Sequence, residues 1–279
     1  MTMLVGWVAV DQRSIASAYI ASDSRFTWYD NAVYDYGRKV FACKYSADIF
    51  AYCGEVLFSS VALGRIVNMI DAGLLYEHSS TSAERNRAIA MHLKQQFSLY
   101  PKHVIGDSVQ VYHISRDLDA SFHLYRYSIA NDLRWKNDEL PIERNKSNVI
   151  FTAGIGKSDF DNLYQQYSRG ISSNTSRNVF QCFCDCLLHQ NPVKCGGPPQ
   201  LVGLYRVADS APKEKRNGMD FGIIIDQKRY FLGAEVDNLQ EYDIIRWYNP
   251  LFEICDGNTL CRKVDAMPQP NPLLSLATP

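Results

Sequence analysis

A chain of 279 residues in which 46% are hydrophobic can bury a full core, which excludes a wholly disordered polymer. Its 29 Lys and Arg are balanced by 30 Asp and Glu, so the formal net charge is −1 and no global field draws it to nucleic acid or to anionic lipid. No run approaches the ~20 apolar residues of a membrane-spanning helix, and the apolar opening stretch lacks a basic leader and is cut by Asp11 and Arg13, which argues against a signal peptide and for a cytoplasmic protein.

The apolar residues from Met3 to Val10, the polar Asp11-Gln12-Arg13 and the run Ser14 to Ala21 read as a strand, a turn and a returning strand. Val40 to Cys43 and Ile49 to Cys53, separated by the polar Lys44 to Asp48, read as a second hairpin that Gly54 ends. Leu63, Ile66, Val67, Ile70 and Leu74 fall at helical spacing and stop near Gly73. Thr81 and Glu84 are spaced as a capping box for a second helix that carries Ala88, Met91, Leu93 and Phe97. Val109 to Ile114 and Phe122 to Tyr127 alternate as strands do, residues 130–147 read as a polar surface loop, and Asn148 to Ala153 reads as a strand. Helices are expected at about 159–169 and 175–189, then strands at 201–207, 220–226 and 229–235.

This order lacks regular βαβ alternation, so an antiparallel α+β assembly is expected. The chain divides into one domain over residues 1–266 and a tail over 267–279, where Pro268, Pro270, Pro272 and Pro279 forbid a helix or central strand. Eight irregularly spaced cysteines, many within apolar runs, fit reduced core thiols better than a disulfide framework.

Thr2 is the candidate nucleophile, although Thr is also a common second residue. Removal of Met1 would leave a free α-amine and a β-hydroxyl on one residue, and an amine with a pKa of ~7.7–8.0 is a base already attached to the weak nucleophile it must activate. Asp23 and Lys39, at the inner ends of their runs, would be buried charges that persist only as a pair. Beside a free amine, that ammonium disfavours a second positive charge and lowers the amine pKa. Gly54 lets a substrate carbonyl approach a backbone N–H, which is oxyanion-hole geometry, although a plain strand-to-helix turn needs the same residue. Tyr52 could floor a side-chain pocket or fill the core.

Thr2, the Ala21-Ser22-Asp23-Ser24-Arg25 strand end, Lys39 and Ala51-Tyr52-Cys53-Gly54 resemble the proteasome β-subunit and HslV group of N-terminal-nucleophile hydrolases, the threonine peptidases, most strongly over residues 2–75. Asp185 and the later Cys195-Gly196-Gly197-Pro198-Pro199-Gln200 are similar to the corresponding region of the Anbu-type bacterial relatives. The resemblance implies the four-layer αββα sandwich, an endopeptidase with catalytic Thr2, Asp23, Lys39 and Gly54, and Arg25 and Asp185 in support. It also implies a peptide or protein substrate, a homo-oligomeric closed or short helical ring, room for an ATPase partner, and no metal or organic cofactor.

The chain departs from the family where a Gly-Ser-Gly turn supports the amine: it carries Gly154-Ile155-Gly156, with Ser158 as the nearby substitute, and Cys186, Leu187 and Leu188 follow Asp185. Two further readings are a catalytically inactive assembly or regulatory subunit of the same fold and an amidase for a small amide. Gly154 to Ser158 also resembles the end of a phosphate-binding loop, but Phe151 stands where the first glycine is required. Cys182, Cys184 and Cys186 with His189 and Cys195 lack the CxxC spacing of zinc sites and read as buried thiols.

Overall fold

The computed structural model describes residues 2–28, 30–77, 79–101, 108–129, 134–189, 195–209, 216–237 and 245–268. The opening hairpin forms as the pattern predicts: β1 (Leu4–Asp11) and β2 (Ser14–Ser22) pair antiparallel with Leu4 opposite Ser22. Asp11 makes the turn, its Oδ1 accepting from Arg13 N at 2.8 Å and Ser14 N at 3.3 Å. A short hairpin, β3 (Phe26–Thr27) and β4 (Val33–Tyr34), precedes the second expected hairpin, β5 (Val40–Ala42) and β6 (Asp48–Gly54).

Helix α1 (Val56–Asp71) starts where the Glu55 carboxylate accepts from Leu57 N at 3.0 Å and Phe58 N at 2.6 Å, and the chain leaves it through Gly73 at φ +70°. Helix α2 (Ser82–Leu99) opens on the Thr81–Glu84 capping box read from the spacing. Next come β7 (Val109–Arg116), β8 (Phe122–Ile129), β9 (Trp135–Leu140) and β10 (Asn148–Ala153), then α3 (Lys157–Tyr167) and α4 (Ser176–Leu188). Strands β11 (Gln200–Asp209), β12 (Arg216–Ile225), β13 (Lys228–Phe231), β14 (Ala234–Glu235), β15 (Trp247–Tyr248) and β16 (Ile254–Cys255) complete the described chain.

One sheet runs β10-β1-β2-β11-β12-β13-β14 with β15 and β16 attached at β12, and a second runs β5-β6-β7-β8-β9. Pairing is antiparallel except between β12 and β15, which gives a mixed α and β fold without βαβ units. The period of two along β1 divides the interior. Met3, Val5 and Trp7 pack with Phe160, Phe180 and Phe183 of α3 and α4, whereas Leu4 and Val8 pack with Ile49, Ala51 and Ile114 of the second sheet. Phe50 and Tyr52, on the other face of β6, pack beneath α1 and α2 with Leu63, Ile66 and Ile89.

The sequence pattern missed β9, placed in a polar loop. Its residues pair with β8 as an edge strand, where Asp138 lies opposite Arg126 at 2.9 Å and Trp135 stacks on Tyr127; such an edge carries charge instead of an apolar alternation. Met91 and Leu74, assigned to apolar helix faces, are exposed, and Ile89 and Ala90 take the inward positions on α2. Seven of the eight cysteines are buried, including Cys182, Cys184 and Cys186, because α4 is enclosed on most of its circumference. The start of the 130–147 segment and the tail beyond Met267 fall largely outside the described residues.

Within the second sheet, Asp48 and His113 are wholly buried and joined at 2.7 Å through Oδ1 and Nε2. His113 Nδ1 lies 2.9 Å from the Tyr127 hydroxyl, and Asp48 Oδ2 accepts from Tyr76 at 2.8 Å and faces Arg85 Nε at 3.3 Å. Burial drives the His113 pKa below 6.5, and the Asp48 carboxylate stays ionised against its own burial through His113, Arg85 and Ser46. A neutral His113 refuses a proton that the unfolded chain accepts, so stability is full above its ordinary pKa and falls as pH drops through about 6.5. Urea unfolding midpoints at about pH 7 and about pH 5 should show this loss, with a shallower slope in His113→Gln; equal midpoints for the parent would contradict it.

Candidate active site

Strand ends converge at one edge of the two sheets. Thr2 stands one residue before Met3, whose amide donates to Asp23 Oδ1 at 2.9 Å, and Asp23 N donates back to Met3 O at 3.3 Å. Asp23 and Lys39 are both at 0% exposure and pair at 2.9 Å between Oδ1 and Nζ. Lys39 Nζ also donates to Arg25 O at 2.6 Å, while Asp23 Oδ2 accepts from Gly196 N at 3.2 Å and Arg25 N at 3.3 Å. Two charges this deep persist because each is met by hydrogen bonds as well as by its counterion.

Thr2 is 1% exposed and its Oγ1 has no hydrogen-bond partner among the described residues. The Gly154-Ile155-Gly156 turn closes over it. Gly156 N donates to Thr2 O at 3.1 Å, and Gly154, at φ +81°, approaches so closely that a Cβ there would lie 2.1 Å from Thr2 O. The amide that a phosphate-binding loop would offer to a ligand is therefore spent on the chain's own terminus. Lys157 Nζ reaches Thr152 Oγ1 at 2.6 Å and Asp161 at 2.5 Å, which leaves the phosphate reading without support.

Arg25 supports the pair through its backbone. Its guanidinium forks onto Asp35 at 2.7 and 2.9 Å, an interaction that raises its pKa, and it covers Gly196, where a Cβ would lie 2.4 Å from Cζ. Gly54 sits at φ +94° and a Cβ would meet Ser108 O at 1.7 Å, so the turn from β6 into α1 requires glycine on its own account. Tyr52 is buried in the core under α1 with its hydroxyl donating to Arg38 O at 3.1 Å. Asp185 bonds the Tyr167 hydroxyl and lies 3.7 Å from His189 Nε2, and Ser158 is exposed in the first turn of α3; no described contact joins either to Thr2.

Three participants lie in stretches that the sequence reading quoted without giving these residues a role of their own. Gln200 anchors the site: its Oε1 accepts from Lys39 N at 3.0 Å and its Nε2 lies 3.1 Å from Asp23 O, 2.9 Å from Ser24 Oγ and 2.7 Å from Gly37 O. A wholly buried amide opening an apolar strand after Gly-Gly-Pro-Pro is the signal that could have found it. Cys53 and Cys195 flank the ion pair, and burial pushes both thiols up to about 12, which makes them protonated walls and not nucleophiles. Among the described residues no group of three His, Cys, Asp or Glu side chains is arranged to hold a metal.

Lys39→Met should lower unfolding free energy by about 3–5 kcal/mol, because Asp23 is then left buried and unpaired. A double change of Asp23 and Lys39 to Leu and Met should recover part of that loss. Denaturant titration checks both, and additive losses would show that the two charges are not coupled.

No protein-family model matches the sequence, and comparison with curated protein sequences finds no match. Solved structures do match. Anbu, described as an ancestral beta-subunit, from Yersinia bercovieri superposes with a TM-score of 0.50 at 8% identity over 73% of this chain and 81% of its own. A Gly-1 mutant of Anbu from Hyphomicrobium sp. strain MC1 gives 0.49 at 10% identity over 84% and 88%, and eukaryotic HslV from Trypanosoma brucei gives 0.45 at 9% over 72% and 99%. At such identities the likeness is one of fold, and the fold of this chain is proteasome-like.

Proposed function

We propose that the chain is a cytoplasmic proteasome-like N-terminal-nucleophile hydrolase, built as the four-layer αββα sandwich, that cleaves peptide bonds with Thr2 once Met1 is removed. The observation that carries this reading is the solvent-free Lys39–Asp23 pair, whose carboxylate also holds the amide next to a threonine hydroxyl that no group among the described residues engages. Removal of Met1 frees the Thr2 amine, and the nearby Lys39 ammonium favours its neutral form. The amine takes the Oγ1 proton as the oxygen attacks the substrate carbonyl, and returns it to the leaving amine. Gly54 N–H faces the developing oxyanion, and water releases the acyl group through the same groups. Arg25 holds the Lys39 ammonium through its carbonyl, Asp185 steadies the α3–α4 layer through Tyr167, and Ser158 is assigned a supporting role only as the serine nearest to the Gly154–Gly156 turn in sequence.

A second reading, a catalytically silent assembly or regulatory subunit, is favoured by one observation: Thr2 is 1% exposed while its α-nitrogen is an amide to Met1. Intact-mass measurement separates the two, since retention of Met1 supports the silent subunit. In the processed protein Thr2→Ala should abolish hydrolysis of a peptide panel and Thr2→Ser should retain measurable turnover, with a threonine-directed covalent inhibitor mapping to Thr2. Hydrolysis by Thr2→Ala at the parent rate would sink the mechanism.

The proposal includes a homo-oligomeric closed or short helical ring that encloses the site and leaves room for an ATPase partner. Support comes from α1 and α2, where Leu57, Val61 and Leu99 are exposed around a cleft of about 380 Å³. A heterologous contact through such a patch closes into a ring when the rotation allows. Sedimentation at micromolar protein should give multiples of 31.7 kDa, and Leu57→Glu should shift the population toward monomer. A peptide-cleaving species stable at the monomer mass would defeat this element.

A further inference from the structure

At the opposite end of the two sheets from Thr2, a cleft of about 830 Å³ opens between the β5–β6 and β7–β8 turns and the far end of β11. Arg85, Arg116 and Arg206 line it. Two of these cations are matched by carboxylates. Arg206 forks onto Asp11, with Nη1 at 3.0 Å from Oδ1, and Arg85 lies 3.3 Å from Asp48 and 3.5 Å from Asp117.

Arg116 has no such match. It is 9% exposed, and its hydrogen bonds go to neutral acceptors, Tyr205 O and, at 3.0 Å, Asn217 Oδ1. No carboxylate lies within ion-pair distance of it among the described residues, and its remaining N–H donors have no protein acceptor there. Burial and the neighbouring Arg85 both lower its pKa, so its surroundings oppose the charge it carries. Asp48, which acts in the other direction, is already shared by Arg85 and His113. Asp119 at the rim is committed to Ser121, whose N–H and hydroxyl donate to its Oδ1 at 2.9 and 2.6 Å. Arg116 is thus the one guanidinium lining the cleft that no carboxylate faces among the described residues, and it has spare donors and an amide beside it.

We propose that this cleft binds an oxyanion, the phosphate or carboxylate group of a small solute, with Arg116 as its charged anchor and Arg206 and Asn217 beside it. Guanidinium forks match the spacing of both kinds of oxygen pair, which is why the two ligand sources share one chemistry. The site is separate from the Thr2 edge, and the proposal stands whether or not the chain cleaves peptides. A purely structural Arg116, holding β7 to β11, predicts no saturable anion binding.

The test is calorimetric titration of the full chain with inorganic phosphate and, separately, with acetate, each against chloride at equal ionic strength. Saturable binding of phosphate or acetate beyond the chloride response is expected, and the stronger of the two identifies the source. Arg116→Lys, which keeps the charge and loses the fork, should weaken binding. Because a buried arginine can be needed for folding, Val207→Glu provides the second variant: it is 75% exposed at the rim, and a carboxylate placed there should weaken binding at least about tenfold without touching the core. Responses equal to chloride, or parental affinity in Val207→Glu, would overturn the proposal.

Discussion

The Lys39–Asp23 ion pair is the constraint around which one edge of the molecule is arranged. Each ion costs several kcal/mol to remove from water, and Coulomb attraction offsets that only when further hydrogen bonds satisfy both groups. Asp23 receives those bonds from Met3, Arg25 and Gly196, and Lys39 gives one to the Arg25 carbonyl. Four separate stretches of chain are therefore fixed by one carboxylate and one ammonium. Gly196 lacks a side chain because the Arg25 guanidinium occupies that volume, and Gln200 secures the backbone on both sides of the pair.

Much of this was legible because it follows from local pattern. The hairpin through Asp11, the capping box at Thr81 and the strand-ending Gly54 each depend on a few neighbouring residues, and each is found as expected. The charges Asp23 and Lys39 stood out as ionisable groups at the ends of apolar runs, where only pairing makes burial tolerable. Residues whose meaning comes from distant partners stayed hidden. Gln200 acts on residues more than 160 positions earlier, and the need for glycine at 154 arises from contact with Thr2. Strand β9 was hidden for another reason: an edge strand stabilised by cross-strand charge has no apolar alternation to read.

The second sheet places its buried polar groups in an unequal way. Toward the Thr2 edge the interior is apolar up to the ion pair, whereas toward the other edge Asp48, His113, Arg85 and Ser115 form a hydrogen-bonded interior that reaches the arginine-lined cleft. A satisfied polar network specifies one arrangement of the strands that carry it, because any slip would leave buried donors or acceptors without partners. The register of β6 against β7 is thereby fixed at Asp48–Ser115 as well as at Gly54–Val109, and the strand end that carries Gly54 inherits that rigidity.

Strand β1 lies inside its sheet, between β2 and β10, and β2 in turn pairs with β11. Its first partner is made almost at once and the other only after residue 148 has been synthesised, while the Gly196 and Gln200 contacts to the ion pair come later still. Contacts of such long sequence separation form slowly, since the loop they close must be ordered first. During synthesis the N-terminus is thus the part of the molecule that waits longest for its surroundings, on a chain that emerges at about 5–20 residues per second. Thr2 therefore goes without the Gly154–Gly156 turn that closes on it for the first ~8–30 s of synthesis.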